Sequence, residues 1–201
     1  MTKLIYHAGT PRILFLAFGK LTSLLAGAFF LLLVGPAYIK AGHPPLDTLT
    51  TVGLGLVPAF FIAFTTAPFV THVYLRIPGS VVSTGSNKTA LRRFVDSGLD
   101  SSTQITLTTM SLFAKPRHTT MPLGELVPCR RRLGLVNYAR EQAAASRAKE
   151  AKARKWYHWR PVREFFVMEL RAPTRVRYQE RKRDQVERWI WTAVEGQLKG
   201  R

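Results

Sequence analysis

Cysteine and recognisable catalytic motifs are scarce in this chain. Cys129 is the only cysteine, so an internal disulfide is excluded. The five histidines lack the spacing of metal ligands, and no glycine-rich phosphate loop or nucleophile motif is present. The glycines of Val52-Gly-Leu-Gly-Leu lie inside an apolar run and are no nucleotide-binding fingerprint. We therefore expect a non-enzymatic protein without a metal or cofactor.

Acidic residues are also few, and the charge is uneven. The chain has 30 Lys and Arg against 12 Asp and Glu, a net charge of +18. Residues 1–76 hold five cations and one acid, Asp47, so +14 of the +18 falls on residues 77–201. So basic a region is attracted to anionic lipid, nucleic acid or acidic proteins, and charge alone does not choose among them.

Two long apolar runs, residues 21–39 and 49–70, contain no charged residue. A bilayer core of about 30 Å needs roughly 20 apolar residues in a helix. Both runs fit, and the short turn-forming connection between them predicts an antiparallel pair of membrane spans. Lys20 lies just before the first run, where its side chain is expected to reach the lipid headgroups. Pro58 and Pro68 predict that the second helix bends or ends early.

Small residues recur at four-residue spacing on both predicted helices, which lets helix backbones approach closely in lipid. The stripes predict that the hairpin packs on itself or that a helix of another protein docks there. They consist of Gly19, Ser23 and Gly27 in the first helix, and of Gly55, Ala59, Ala63 and Ala67 in the second.

The remainder, residues 71–201, predicts a small α+β domain. Residues 71–77 alternate apolar and polar side chains, and residues 104–113 are rich in β-branched residues, so both favour strands. Further strands are expected near 119–127 and 164–170, and a short helix at 90–95. Residues 141–155 predict a charged, exposed helical insertion because they contain almost no large apolar side chain.

Residues 180–199 predict a C-terminal amphipathic helix. Its expected apolar stripe is Val186, Trp189, Ile190, Ala193, Val194 and Leu198. The helix either covers the sheet or lies in a lipid interface with Trp189 and Trp191 as anchors. The expected surface for anionic lipid or a partner comprises these two tryptophans together with Arg76, Arg130, Arg131 and Arg132.

Cations predict the orientation of the hairpin. Lys3, Arg12 and Lys20 precede the first run, a long basic region follows the second, and the connection has one lysine. The positive-inside rule then places both termini on the same side of the membrane. The basic, acid-poor start also favours mitochondrial import.

Several features together resemble the Transmembrane protein 70-like family of mitochondrial inner-membrane proteins. They are Leu4-Ile5-Tyr6, Lys20-Leu-Thr-Ser23, the prolines Pro36, Pro58 and Pro68, Thr71-His-Val-Tyr-Leu-Arg, and the Thr-rich stretch of residues 104–113. The resemblance covers roughly residues 3–127. It implies a two-span hairpin with both ends in the matrix, and an assembly factor for small membrane subunits of ATP synthase or respiratory complex I. It brings no catalytic residues.

The expected organisation is a basic N-terminal segment (1–20), a two-span hairpin (21–70) and a basic matrix-facing α+β domain (71–201). Expected partners are membrane lipid, with cardiolipin the natural candidate, and hydrophobic subunits of respiratory complexes; a homo-oligomer is left open. The alternative is an inner-membrane tether for the mitochondrial ribosome. Arg130-Arg-Arg132 and the basic residues 140–155 would then contact RNA phosphates, and Trp156, Tyr157 and Trp159 would stack on bases.

Overall fold

The computed structural model describes residues 2–77, 88–153, 161–168 and 188–200. The chain divides into two compact units. One, here the α+β unit, comprises Met1–Ala8, Pro68–Thr109 and His118–Arg201. The other, here the helical unit, comprises Gly9–Ala67 and Met110–Arg117. The loop at 110–117, expected within the C-terminal domain, thus groups with the helices.

The helical unit is built from two long apolar helices. Helix α1 (Thr10–Phe29) continues through a π-helical turn (Phe30–Val34) into α2 (Gly35–Lys40), and α3 (Pro45–Thr66) returns. Both helical runs, of 31 and 22 residues, are long and apolar enough to cross a membrane. The π turn ends two residues before Pro36, whose ring cannot fit a regular α-helical hydrogen-bond ladder. Helix α3 ends before Pro68, as predicted.

The N-terminal segment differs from the expectation. Residues Thr2–His7 form strand β1, and α1 begins at Thr10 instead of near residue 21. Ile5 and Tyr6 are both completely buried. Burial of these two neighbours is possible because a register shift between Leu4 and Tyr6 interrupts the alternation of the strand.

The α+β unit contains a four-stranded antiparallel sheet in the order β1-β2-β3-β4. Its later strands are β2 (Val70–Arg76), β3 (Gln104–Met110) and β4 (Pro116–Pro122). Strand β2 was predicted from its alternation and strand β3 from its β-branched residues, and both have a buried face. Helix α4 (Lys88–Asp96) joins them in sequence. A three-stranded antiparallel sheet follows, formed by β5 (Leu126–Arg131), β6 (Val136–Arg140) and β7 (Glu164–Phe165).

Two helices complete the described part of the α+β unit. Helix α5 (Ala144–Ala153) is the predicted charged insertion. Helix α6 (Arg188–Lys199) is the described part of the predicted C-terminal helix. Its buried face consists of Ile190, Trp191, Val194 and Leu198. The predicted α+β class and C-terminal helix are therefore confirmed, and α6 packs within the domain core.

Candidate functional site

The small residues of the two long helices meet each other. Ser23 and Gly27 of α1 and Gly55 and Ala59 of α3 are buried. A Cβ atom at Gly27 would lie 3.2 Å from Leu56 Cδ2 and 3.7 Å from Ala59 Cβ. These residues therefore pack α1 against α3. They are not available to a helix of another protein.

Phe30 packs directly against Gly55 of α3. It is the first residue of the π turn, and a Cβ atom built on Gly55 would overlap its Cβ and Cγ atoms. Gly35 continues the glycine spacing of α1 and lies close to Val52, where a Cβ atom would come within 3.2 Å of Val52 Cγ2. Extending the four-residue spacing beyond Gly27 leads to residue 31 and then to Gly35, so the sequence could have revealed Gly35. Leu31, the intermediate position, is exposed.

Three of the predicted stripe residues lie outside this contact. Gly19 is partly buried, yet a Cβ atom there would meet nothing within 4 Å. Ala63 is partly buried and Ala67 is exposed. Of the predicted stripe residues, only Ser23, Gly27, Gly55 and Ala59 are buried.

Large apolar side chains point outward from the helical unit. On α1 they recur at intervals of three or four residues, so they share one helix face. This outer stripe comprises Leu14, Phe18, Leu21, Leu25 and Phe29, each more than half exposed. Helix α3 likewise exposes Leu54, Val57, Phe60, Phe61 and Phe64. A surface this apolar is suited to lipid or to an apolar helix of another protein.

Lys20 departs from the expectation that it reaches the headgroups. Its side chain is 1% exposed. Its Nζ donates hydrogen bonds to the backbone oxygens of Met110, at 2.7 Å, and of Ser111, at 3.0 Å. The sequence gives no sign of this contact, because the acceptors lie about 90 residues further along the chain.

The predicted arginine surface forms the tip of the hairpin between β5 and β6. Arg130 and Arg131 are exposed, whereas Arg132 Nε lies 2.7 Å from Glu164 Oε2 in an ion pair. Arg132 and Leu133 both have left-handed backbone angles, with φ of 50° and 56°, and Leu133 is fully exposed. A bulky residue rarely adopts this conformation. The tip thus presents an apolar side chain directly beside two cations.

The two tryptophans of the predicted lipid surface differ in environment. Trp191 is 4% exposed, with ring centroids 5.8 Å from Tyr6 and 6.0 Å from Tyr138. The ring of Trp191 is therefore occupied by core contacts, as expected for a helix that covers the sheet. Trp189 is partly buried, and the guanidinium of Arg92 lies 5.9 Å from its ring centre. Arg76 is exposed at the end of β2.

Histidines gather on the four-stranded sheet. The rings of His7 and His72 are 4.6 Å apart, and His118 Nδ1 shares a 2.9 Å hydrogen bond with Thr108 Oγ1. Burial, and next the neighbouring His7 and His118, lower the pKa of His72 below its ordinary value. Within the described part of the chain, no group of three or more His, Cys, Asp or Glu could hold a metal ion.

Acidification is expected to destabilise the α+β unit through His72. Since its pKa is lowered in the folded state, the unfolded chain binds the proton more readily, and stability falls as pH drops below about 6.5. Thermal unfolding at pH 7.5 and pH 5.5 should show a smaller acid-induced loss in His72→Gln than in the wild type. An equal loss in both proteins would contradict the assignment to His72.

Part of the predicted RNA surface, Trp156, Tyr157 and Trp159, lies outside the described residues, as does Val186. Helix α5, by contrast, is described, and Arg147 and Lys152 on it are exposed. Comparison of the chain with protein-family models, curated proteins and solved structures finds no match.

Proposed function

We propose that this chain is a non-enzymatic integral membrane protein of the mitochondrial inner membrane that assists assembly of ATP synthase or respiratory complex I. In this role it holds a small hydrophobic subunit before incorporation. The observation that carries the proposal is the outer stripe. Helix α1 exposes large apolar side chains at intervals of three or four residues, whereas its Gly27 packs against α3. The side chains of such a face can pack by van der Waals contact against an apolar client helix in lipid.

Pairing of β1 with β2 supports the proposed topology. Strand β1 directly precedes α1, and β2 directly follows α3. Their backbones pair, with Thr2 opposite Arg76 and His7 opposite His72. Hydrogen-bonded strands must share one side of a bilayer, so a chain that leaves through α1 must return through α3. The excess of cations on that side supports the proposal that this side is the matrix.

A photo-crosslinking amino acid at Leu25 tests the client surface. Leu25 is 72% exposed on the outer stripe, whereas Ala59, the matched control, is buried against α1. In mitochondria expressing the full chain, the Leu25 probe should capture a small membrane subunit of ATP synthase or complex I, and the Ala59 probe should not. Capture of lipid alone, or equal capture from both positions, would overturn the proposal.

The tip of the β5–β6 hairpin, with Arg130 and Arg131 exposed, is proposed to bind anionic lipid such as cardiolipin. Each basic residue near an anionic surface contributes about 1 kcal/mol, so Arg130→Gln with Arg131→Gln should weaken binding about 30-fold. Native mass spectrometry of the detergent-purified chain titrated with cardiolipin measures the change. Arg147→Gln with Lys152→Gln removes the same charge from exposed positions on α5 and should have little effect. Equal losses in both variants would indicate a response to total charge only.

Exposed α5 favours a second candidate, the ribosome tether. Its described side chains include Arg147 and Lys152, both available to RNA phosphates. Salt-sensitive co-sedimentation with mitochondrial ribosomes that is lost in the α5 double variant, but kept in the Arg130/Arg131 variant, would favour the tether. Co-sedimentation that is absent at low salt would exclude it.

A further inference from the structure

The connection between β3 and β4 is a compact loop with an apolar tip. Ser111–Lys115, here the Leu-Phe loop, is closed by a hydrogen bond from Ser111 N to Lys115 O of 2.8 Å and one from Lys115 N to Ser111 Oγ of 3.1 Å. Ala114 has a left-handed φ of 56°, which tightens the turn. The loop conformation is therefore defined by its own bonds.

The Leu-Phe loop is fastened to α1. Both acceptors of the buried Lys20 ammonium, the oxygens of Met110 and Ser111, lie at the start of the loop. A buried ammonium needs hydrogen-bond partners, and a charge-assisted bond is about twice as strong as a neutral one. Lys20 thus fixes the loop against one level of the helix.

That level coincides with the start of the apolar run. The 19 uncharged residues 21–39 follow Lys20 directly, and a helix of this length matches a hydrocarbon core of about 30 Å. Two outer-stripe residues, Phe18 and Leu21, flank Lys20 in sequence and are more than half exposed. The outer stripe also continues on the N-terminal side of Lys20, through Leu14 and Phe18. A loop held at Lys20 is therefore held beside apolar helix surface, near the boundary of the hydrocarbon.

The exposed side chains of the Leu-Phe loop suit this depth. Leu112 is 37% exposed and Phe113 58% exposed, although both are large and apolar. Lys115, which follows two residues later, is exposed and carries the charge that a phosphate headgroup attracts. An apolar pair followed by a cation is the side-chain arrangement of a segment that lies in a lipid interface.

We propose that the Leu-Phe loop inserts into the headgroup–acyl boundary of the bilayer, with Leu112 and Phe113 in the acyl region and Lys115 at the phosphates. Lys20 acts as the latch that sets the depth of the loop. The inference rests on the proposed membrane insertion of the two helices. It adds a third, non-helical contact with lipid, contributed by a β-hairpin of the same chain.

Depth-dependent fluorescence quenching tests the insertion. Full-length protein with Cys129→Ser and Phe113→Cys is labelled with an environment-sensitive fluorophore and reconstituted into nanodiscs of phosphatidylcholine and phosphatidylglycerol. Nitroxides near the headgroup should quench the label strongly, and nitroxides at the chain end should quench it weakly. A label at Ser102→Cys, an exposed turn residue, is the matched control and should stay unquenched. A Phe113 label that behaves like the Ser102 label would overturn the proposal.

Two further measurements separate the possible failures. Alkaline carbonate extraction reports on the helices: release of the chain would overturn the membrane proposal itself. Retention of the chain with an unquenched Phe113 label would overturn only the insertion of the Leu-Phe loop. Lys20→Met leaves the Met110 and Ser111 oxygens without the Lys20 donor. It should reduce headgroup quenching of the Phe113 label while the chain stays in the membrane. Unchanged quenching would show that Lys20 does not set the depth of the loop.

Discussion

Trp191→Ala is expected to destabilise the α+β unit by about 3–5 kcal/mol, the usual cost of truncating a buried aromatic residue. The ring is almost fully buried and touches Tyr6 and Tyr138, which come from β1 and β6. Its loss opens a cavity where the C-terminal helix meets two strands. Thermal unfolding followed by circular dichroism measures the effect, and about 2–4 °C is lost per kcal/mol in a protein of this size.

Trp189→Ala provides the matched control for Trp191→Ala. Trp189 lies on the same helix, is less buried, and has Arg92 against its ring, an interaction of about 0.5–1 kcal/mol at an exposed site. Its loss should lower the unfolding temperature far less. Equal decreases in unfolding temperature for the two variants would contradict the conclusion that Trp191 is a core residue and Trp189 is not. A Trp191→Ala protein with unchanged stability and weakened lipid binding would support the interfacial-anchor prediction.

Gly55→Ala is expected to disrupt the packing of α1 on α3. One added methyl group would overlap the Cβ and Cγ atoms of Phe30, the rigid base of that side chain, so the helices must separate or Phe30 must leave. Overpacking of this kind costs about 1–3 kcal/mol. Thermal denaturation of the detergent-purified chain, followed by size-exclusion chromatography, should show a lowered midpoint.

Gly53→Ala is the control for Gly55→Ala. Gly53 lies on the same helix, and its Cβ would meet nothing within 4 Å, so the midpoint should stay the same or rise slightly. In a Phe30→Ala background, Gly55→Ala should cost less than in the wild type because the overlapping atoms are gone. An undiminished cost in that background would show that Phe30 is not the cause.

Sequence periodicity was sufficient to locate a strand or helix where one face of that element is buried. Strand β2 follows this pattern, and its position agrees with the prediction. Strand β3 was found from its β-branched residues, and the two helices from their uncharged apolar runs, although α1 begins earlier than predicted, at Thr10. Periodicity failed for β1, where the register shift buries the neighbouring residues Ile5 and Tyr6. A single short strand with an interrupted alternation carries too little pattern to be recognised without its partner β2.

The C-terminal helix shows a second limit of periodicity. Trp189 and Trp191 are both large and apolar, so helical spacing alone allows either to face the core. The structure buries Trp191 and exposes Ala193, contrary to the predicted stripe. Tyr6, from the opposite end of the chain, contacts the buried ring, and no local pattern reports such a partner.

Among the candidate site residues, glycine spacing correctly suggested that Gly27, Gly55 and Ala59 lie where helices approach. It could not distinguish self-packing from client docking, because both need small residues. The geometry decides in favour of self-packing for these three, and the large outward side chains become the docking candidates. Lys20 could not be assigned from sequence, since its acceptors belong to a distant hairpin.

The pairing of β1 with β2 also has a consequence for the order of folding. These neighbouring strands are separated in sequence by both long helices, so closing the sheet early would require an entropically costly loop of residues 8–69. Strand β1 directly precedes α1 and strand β2 directly follows α3. Once the two helices associate, most of the loop-closure entropy has therefore already been lost, and pairing of the strands costs little more. We therefore expect the helix pair to form first and the four-stranded sheet to be completed afterwards, so that a chain whose two long helices have not yet associated would lack a finished sheet.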